Sequence, residues 1–244
     1  RQMCIRDRCG IIVLSSMISE ARMSQFETWR QEIVDACQAL VAQGYLMATG
    51  GNVSVRVPGQ DAMAITPSSF DYTEMAAGDV CVLDWDLAPV AGEQKPSVES
   101  GMHAAVYLAR PDVHAIVHTH QVHASALALI DAPIPALFDE QVRYLGRSIE
   151  IIPYAPSGTG LLRKKIARHV RNGHNAYIMK NHGALVFGHD LERAAHNVEI
   201  LEKCSVAYLL ALCTGRKVST IPVAVREIAF ARLRKEEKKH DIRH

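Results

Sequence analysis

Apolar residues recur at Phe26, Trp29, Ile33, Val34, Cys37, Leu40 and Val41, the spacing of an amphipathic helix, and Gly44 follows the last apolar turn as a stop. Ahead of them Ser24-Gln25-Phe26-Glu27 matches a capping box, in which serine and glutamate satisfy each other's backbone donors. The period then changes to two. Val53-Ser54-Val55-Arg56-Val57 alternates as a strand does, Ala62 to Thr66 predicts a second strand, and Pro58-Gly59-Gln60-Asp61 between them is hairpin chemistry. Further strands are predicted at Val80 to Leu83, Val113 to His118, Ile149 to Ile152, Ala176 to Met179 and Ala184 to Phe187. Helices are predicted from Ser97 to Arg110, with Met102, Ala105, Val106 and Ala109 as its stripe and Pro111 as its end, and from His123 to Ile130. A basic helix follows Ser157-Gly158-Thr159-Gly160, a long one runs from Asp190 to about Leu212, and a shorter charged one closes the chain. Strands interleaved with helices in this way predict an α/β chain.

Composition narrows the class. With 244 residues, 48% of them apolar, the chain can bury a sizeable core without a disulfide framework. No low-complexity linker or repeat divides it, so one domain is expected over residues 23–244. A net charge of +1 argues against a nucleic-acid surface, and no stretch is long enough to span a bilayer. The six cysteines form no C-x-x-C pair, which excludes a zinc ribbon or a dithiol motif and suits a reducing, cytoplasmic setting. Residues 1–22 begin on Arg1 and show no periodicity; they are expected to be a non-native or disordered extension, with the native start near Met17 or Met23.

Candidate chemistry gathers at Ile116-Val117-His118-Thr119-His120. Strand side chains alternate between faces, so His118 and His120 point the same way, about 6–7 Å apart at the backbone. Two imidazoles can share one ion across that gap, and neutral imidazole is the commonest nitrogen ligand of zinc. A zinc site needs three or four ligands. The third candidate is His182 in Lys180-Asn181-His182-Gly183, and an acid stands at Glu99 in Lys95-Pro96-Ser97-Val98-Glu99. Taken singly, each histidine reads equally well as a hydrogen-bonded side chain, and Glu99 as a carboxylate that complements a helix dipole. If the three rings do share an ion, their nitrogens should lie within about 3–4 Å of one another, with His114 and His123 taking no part. Gly50-Gly51-Asn52 and Thr66-Pro67-Ser68-Ser69 are small polar loops able to donate to an oxyanion. Neither has the Gly-Lys-Ser/Thr ending of a P-loop, and alone each reads as an ordinary turn. The basic run Arg163, Lys164, Lys165 and Arg168 reads as a solvated helix face.

Five motifs in order resemble the class II aldolase/adducin family: Thr49-Gly50-Gly51-Asn52-Val53-Ser54-Val55-Arg56, Ile65-Thr66-Pro67-Ser68, Lys95-Pro96-Ser97-Val98-Glu99, His118-Thr119-His120, and Asn181-His182-Gly183. The resemblance runs from about Phe26 to Phe230. It implies a three-layer α/β sandwich, with helices on both faces of a central, largely antiparallel sheet, and a homotetramer with active sites between subunits. It implies that His118, His120 and His182 bind zinc (Zn2+), with another divalent metal as the alternative. Glu99 matches the family's catalytic acid/base, and Asn52, Ser68, Ser69 and Ser97 fall where the family binds the substrate phosphate. Zinc in such a site would polarise a hydroxy-keto substrate, expected to be a sugar phosphate, and stabilise an enediolate. Glu99 would shuttle the proton, its pKa rising towards neutrality as substrate expels water.

Three departures bear on the substrate. Val98 stands where the family's phosphate motif commonly has a second serine. Phe138-Asp139-Glu140 follows Ile134-Pro135-Ala136 where aldolases of the family place a tyrosine proton donor, and no tyrosine follows Tyr208. Asp139, Glu140, Arg143 and Tyr144 are the candidate replacements. The expected function is a zinc-dependent aldolase-type lyase acting on a C–C bond of a hydroxy-keto compound. The alternatives are a pentulose-phosphate 4-epimerase, decarboxylase or dehydratase of the same family, or a non-enzymatic adducin-like assembly module. Epimerases of the family carry aspartate at the position of Glu99, which favours the aldolase.

Overall fold

The computed structural model describes residues 26–47 and 49–240. The extension expected over residues 1–22 and Ser24 of the capping box lie outside them. Eight strands form one sheet: β1 (Asn52–Arg56), β2 (Ala62–Ile65), β3 (Cys81–Asp84), β4 (Pro89–Ala91), β5 (Ala115–Thr119), β6 (Glu150–Ile152), β7 (Ala176–Met179) and β8 (Gly183–Gly188). Their order across the sheet is β4-β3-β2-β1-β5-β8-β7-β6. All neighbours are antiparallel except β6 and β7, so the sheet is mixed and mostly antiparallel.

Helix α1 covers residues 26–42, followed by α2 (Ser100–Ala109), α3 (Val122–Leu129), α4 (Asp139–Tyr144), α5 (Gly160–His169), α6 (Leu191–Cys213) and α7 (Val223–Glu237). The twofold alternation of the strands decides which helices lie on which face. Val53, Val117, Ile178 and Val186 pack into one core with Ile33 and Leu40 of α1, Leu127 of α3 and Leu201 of α6. Met63, Ile116, Leu185 and Phe187 pack into the other with Met102 and Val106 of α2 and Leu162 and Ile166 of α5. The result is the expected three-layer sandwich. Each such side chain, fully buried, contributes about 1.5–3 kcal/mol. A smaller cluster of Ala136, Val142, Phe230 and Leu233 ties α7 to α4. Among the described residues, no helix is long and apolar enough to cross a membrane.

The predicted helix from Ser97 begins instead at Ser100, because Ser97 to Glu99 form a turn in which the Ser97 carbonyl accepts from both the amide and the hydroxyl of Ser100. Strand β4 and helix α4 escaped prediction. Three residues beginning on a proline, or six residues of helix, are too short to display a period. Strand β1 carries a further difference. Its alternation sets Ser54 and Arg56 on one face, yet that face is buried under α2 rather than open to water.

Candidate active site

Strand β5 lies between β1 and β8, with His118 opposite Asn52 on one side and Leu185 on the other. His118 shares a face with Ile116 and so points towards α2. His120 follows the strand, and the ring nitrogens His118 Nε2 and His120 Nε2 are 3.1 Å apart. His182 comes from the turn between β7 and β8, in which Asn181 takes a left-handed φ of 55°. Gly183 is needed beside it: a Cβ there would overlap the Thr119 carbonyl oxygen and stand 2.8 Å from His120 Cδ2 and 3.1 Å from His118 Cε1. Gly51 serves the same packing from β1, with a φ of 83° and no room for a Cβ against the His118 carbonyl.

The three histidines offer ligand nitrogens within 4.8 Å of one another. The His118–His120 distance meets the 3–4 Å expectation, while the set as a whole extends to 4.8 Å, and the Glu99 carboxylate lies against two of the rings. Glu99 Oε1 is 2.8 Å from His182 Nε2, and Oε2 is 3.2 Å from His118 Nε2. Glu99 occupies the N-cap position of α2 but makes no side-chain cap bond, so its carboxylate serves the histidines instead of the helix terminus. His123 is paired with Glu202, and His114 is not part of the cluster.

Electrostatics identify what this arrangement accommodates. His118 Nδ1 lies 2.7 Å from the Ala184 carbonyl, which can only accept, so the proton is on Nδ1 and Nε2 presents a lone pair. That lone pair faces a carboxylate oxygen and a second imidazole nitrogen. Where His120 too carries its proton on Nδ1, these lone pairs and the carboxylate form a donor set for a cation. A proton is disfavoured there: burial, partly offset by Glu99, lowers the His118 pKa to about 4, and burial lowers that of His120 as well. A divalent cation fits the donor set. Burial works against ionisation of Glu99, but hydrogen bonding from His182 and from the Asn52 amide outweighs it and holds Glu99 below the usual carboxylate range.

The polar loops also converge. An isolated bridge between Pro67 and Pro96 joins them, Ser68 N donates to the Lys95 carbonyl at 2.8 Å, and Ser97 N to that of Thr66 at 3.3 Å. Ser97 Oγ accepts from Glu99 N at 3.2 Å, and Ser69 is exposed with a left-handed φ of 56°. Asn52 has other partners. Its Nδ2 donates to Glu99 Oε2 at 2.8 Å, and its Oδ1 is 2.5 Å from His103 Nε2. His103 Nδ1 is 2.6 Å from Ser54 Oγ, which is 2.8 Å from Tyr107 Oη. This buried chain was not foreseen, although two signals bear on it: His103 lies one helical turn after Glu99, and Ser54 shares the face of β1 that carries Asn52. Ser157 is a further neighbour, its Oγ 3.4 Å from His182 Nε2. Two of the candidate replacements for the family tyrosines have partners of their own within this chain. Glu140 pairs with Lys203 at 2.9 Å, and Tyr144 packs on Arg193 and His196.

A sandwich of this topology enclosing three convergent histidines and a carboxylate defines a class of metal-dependent enzymes, and comparison with known proteins agrees. Residues 31–209 match the model of the class II aldolase and adducin N-terminal domain. The chain is 36% identical over 174 residues to an L-fuculose phosphate aldolase of Escherichia coli, covering 70% of this chain and 79% of that one. It is 32% identical over 182 residues to a 5-deoxy-D-ribulose 1-phosphate aldolase of Bacillus thuringiensis serovar kurstaki, covering 73% and 83% respectively. A solved structure of an L-fuculose 1-phosphate aldolase superposes with a TM-score of 0.80 at 32% identity, over 85% of this chain and 96% of that one. The chain belongs to the class II aldolase/adducin family, and it is a lyase of the class II aldolase type.

Proposed function

We propose that this enzyme makes and breaks a C–C bond in a ketose phosphate, with zinc held by His118, His120 and His182 and with Glu99 as the acid/base. The observation that carries this is the pair of Nε2 atoms 3.1 Å apart with the Glu99 carboxylate against the same cluster. When bound, zinc supplies Lewis-acid polarisation of the substrate carbonyl. His118 is kept neutral by burial and oriented by the Ala184 carbonyl, as a nitrogen ligand must be. Glu99 is the group proposed to accept the proton of the substrate hydroxyl and to return it to the carbon fragment, its pKa rising as substrate expels water. Ser68, Ser69 and Ser97, on two loops joined edge to edge, are proposed to hold the phosphate, and Val98 leaves that set one hydroxyl short of the family pattern. The names of the relatives, aldolases of L-fuculose 1-phosphate and 5-deoxy-D-ribulose 1-phosphate, support a ketose 1-phosphate as the substrate class.

The reading includes a homotetramer. Support comes from apolar side chains on the surface of a single chain, among them Val122, Leu129 and Ile130 around α3. The test is a retro-aldol screen of purified, zinc-loaded protein against ketose 1-phosphates and their unphosphorylated analogues. Release of an aldehyde from the phosphorylated series is the expected result. Epimerised or decarboxylated products without cleavage would replace the aldolase reading with another member of the family.

A further inference from the structure

Behind Glu99 runs a line of buried polar groups that no proposed role yet uses: Asn52, His103, Ser54 and Tyr107. His103 and Ser54 have no exposed surface, and Asn52 and Tyr107 have almost none. Four such groups under a helix are costly unless each is satisfied, and here every one has a partner.

The direction of the chain follows from its end. A carboxylate only accepts, so Asn52 must present its NH2 group to Glu99 Oε2. Its carbonyl oxygen is then the atom at His103, which must carry its proton on Nε2. His103 Nδ1 is left as an acceptor and takes the Ser54 hydroxyl proton, and Ser54 Oγ in turn accepts from Tyr107. Reversing any one bond would set two acceptors together, or leave a buried donor without an acceptor. Burial lowers the His103 pKa to about 3, which keeps the ring neutral and the direction single.

We propose that His103 is a positioning residue: by fixing the Asn52 amide it pins Glu99 Oε2, and so sets the orientation of the carboxylate whose other oxygen, Oε1, lies 2.8 Å from His182 Nε2. The inference rests on the acid/base role given to Glu99 above.

Two measurements test it. In long-range proton–nitrogen NMR spectra of the 15N-histidine-labelled protein, His103 should be neutral and protonated on Nε2. This readout needs no turnover, so it stands even if no ketose phosphate is cleaved, an outcome that would remove only the substrate reading. An Nδ1-protonated or doubly protonated ring would overturn the proposal. In kinetics, His103→Phe should lower kcat by about 10–100-fold with KM little changed, the scale of lost supporting contacts around a metal site. His103→Gln, which can donate to Asn52 and accept from Ser54, should recover part of that loss. In an Asn52→Leu background, His103→Phe should cost nothing further, because its effect passes through Asn52; a full, additive loss there would overturn the proposal. Should His103→Phe fail to fold, Ser54→Ala removes the donor to Nδ1 and gives the same cycle, with the same additive result counting against it.

Discussion

Asn52 and His118 stand opposite each other in the β1–β5 ladder, and both point to the face covered by α2. That one register brings a metal-ligand candidate and the amide that holds Glu99 to the same level of the sheet. A slip of one residue would turn every β1 side chain to the other face, placing Val53 against Glu99 and burying Asn52 among the aliphatic residues of α1 and α6.

Glu99→Gln should abolish turnover while zinc stays bound. The amide keeps the shape of the side chain but cannot take up a proton at neutral pH, and a general base contributes about 10²–10⁴-fold. His118→Ala, by contrast, should reduce metal content along with activity. Elemental analysis beside steady-state kinetics separates the two, and near-normal turnover in metal-replete Glu99→Gln protein would sink the assignment.

Gly183→Ala should disturb the histidines without touching their chemistry. The added methyl would overlap the Thr119 carbonyl and crowd His120 and His118. Overpacking of this kind costs about 1–3 kcal/mol, so a lower Tm and a weaker zinc affinity are expected together. Gly78→Ala, where a Cβ would meet nothing within 4 Å, is the control and should leave zinc affinity unchanged.

Acid should weaken the fold through Asp112. Its carboxylate accepts from Arg110 Nε and Nη2 at 2.8 Å each and from Arg234 Nη2 at 2.8 Å, joining the end of α2 to α7. Burial opposes the charge, but the two guanidiniums outweigh it and hold the carboxyl well below the usual range. A group with a depressed folded pKa contributes its full stability above the unfolded value of about 3.9 and loses it as pH falls through the folded one. Denaturant unfolding should therefore show stability dropping below about pH 4. Asp112→Asn should remove much of that dependence and cost about 3–5 kcal/mol at neutral pH by leaving Arg110 buried without its counter-charge. An unchanged acid limb in the variant would count against the pair.

Light scattering of the purified protein at micromolar concentration should give the mass of a homotetramer. A stable, fully active monomer would show that the site is complete within one chain.

Much of this protein is written locally. The period of the apolar residues in α1, the alternation in β1 and the glycines at 51 and 183 are properties of neighbouring residues, and the order of the five motifs carries the family. The candidate ligands were legible for the same reason, since His118 and His120 sit two apart on a strand. What those residues do for one another depends on partners 47 to 66 positions away, as in Glu99 with Asn52 and His118 with Ala184. Such pairings are fixed by sheet order and by the packing of α2, neither of which has a local signal. Ser54 shows the difference. In the sequence it is a polar residue in an alternating strand; only the helix laid over that face makes it a buried acceptor and donor, because burial leaves its hydroxyl no water to bond and His103 and Tyr107 as its partners.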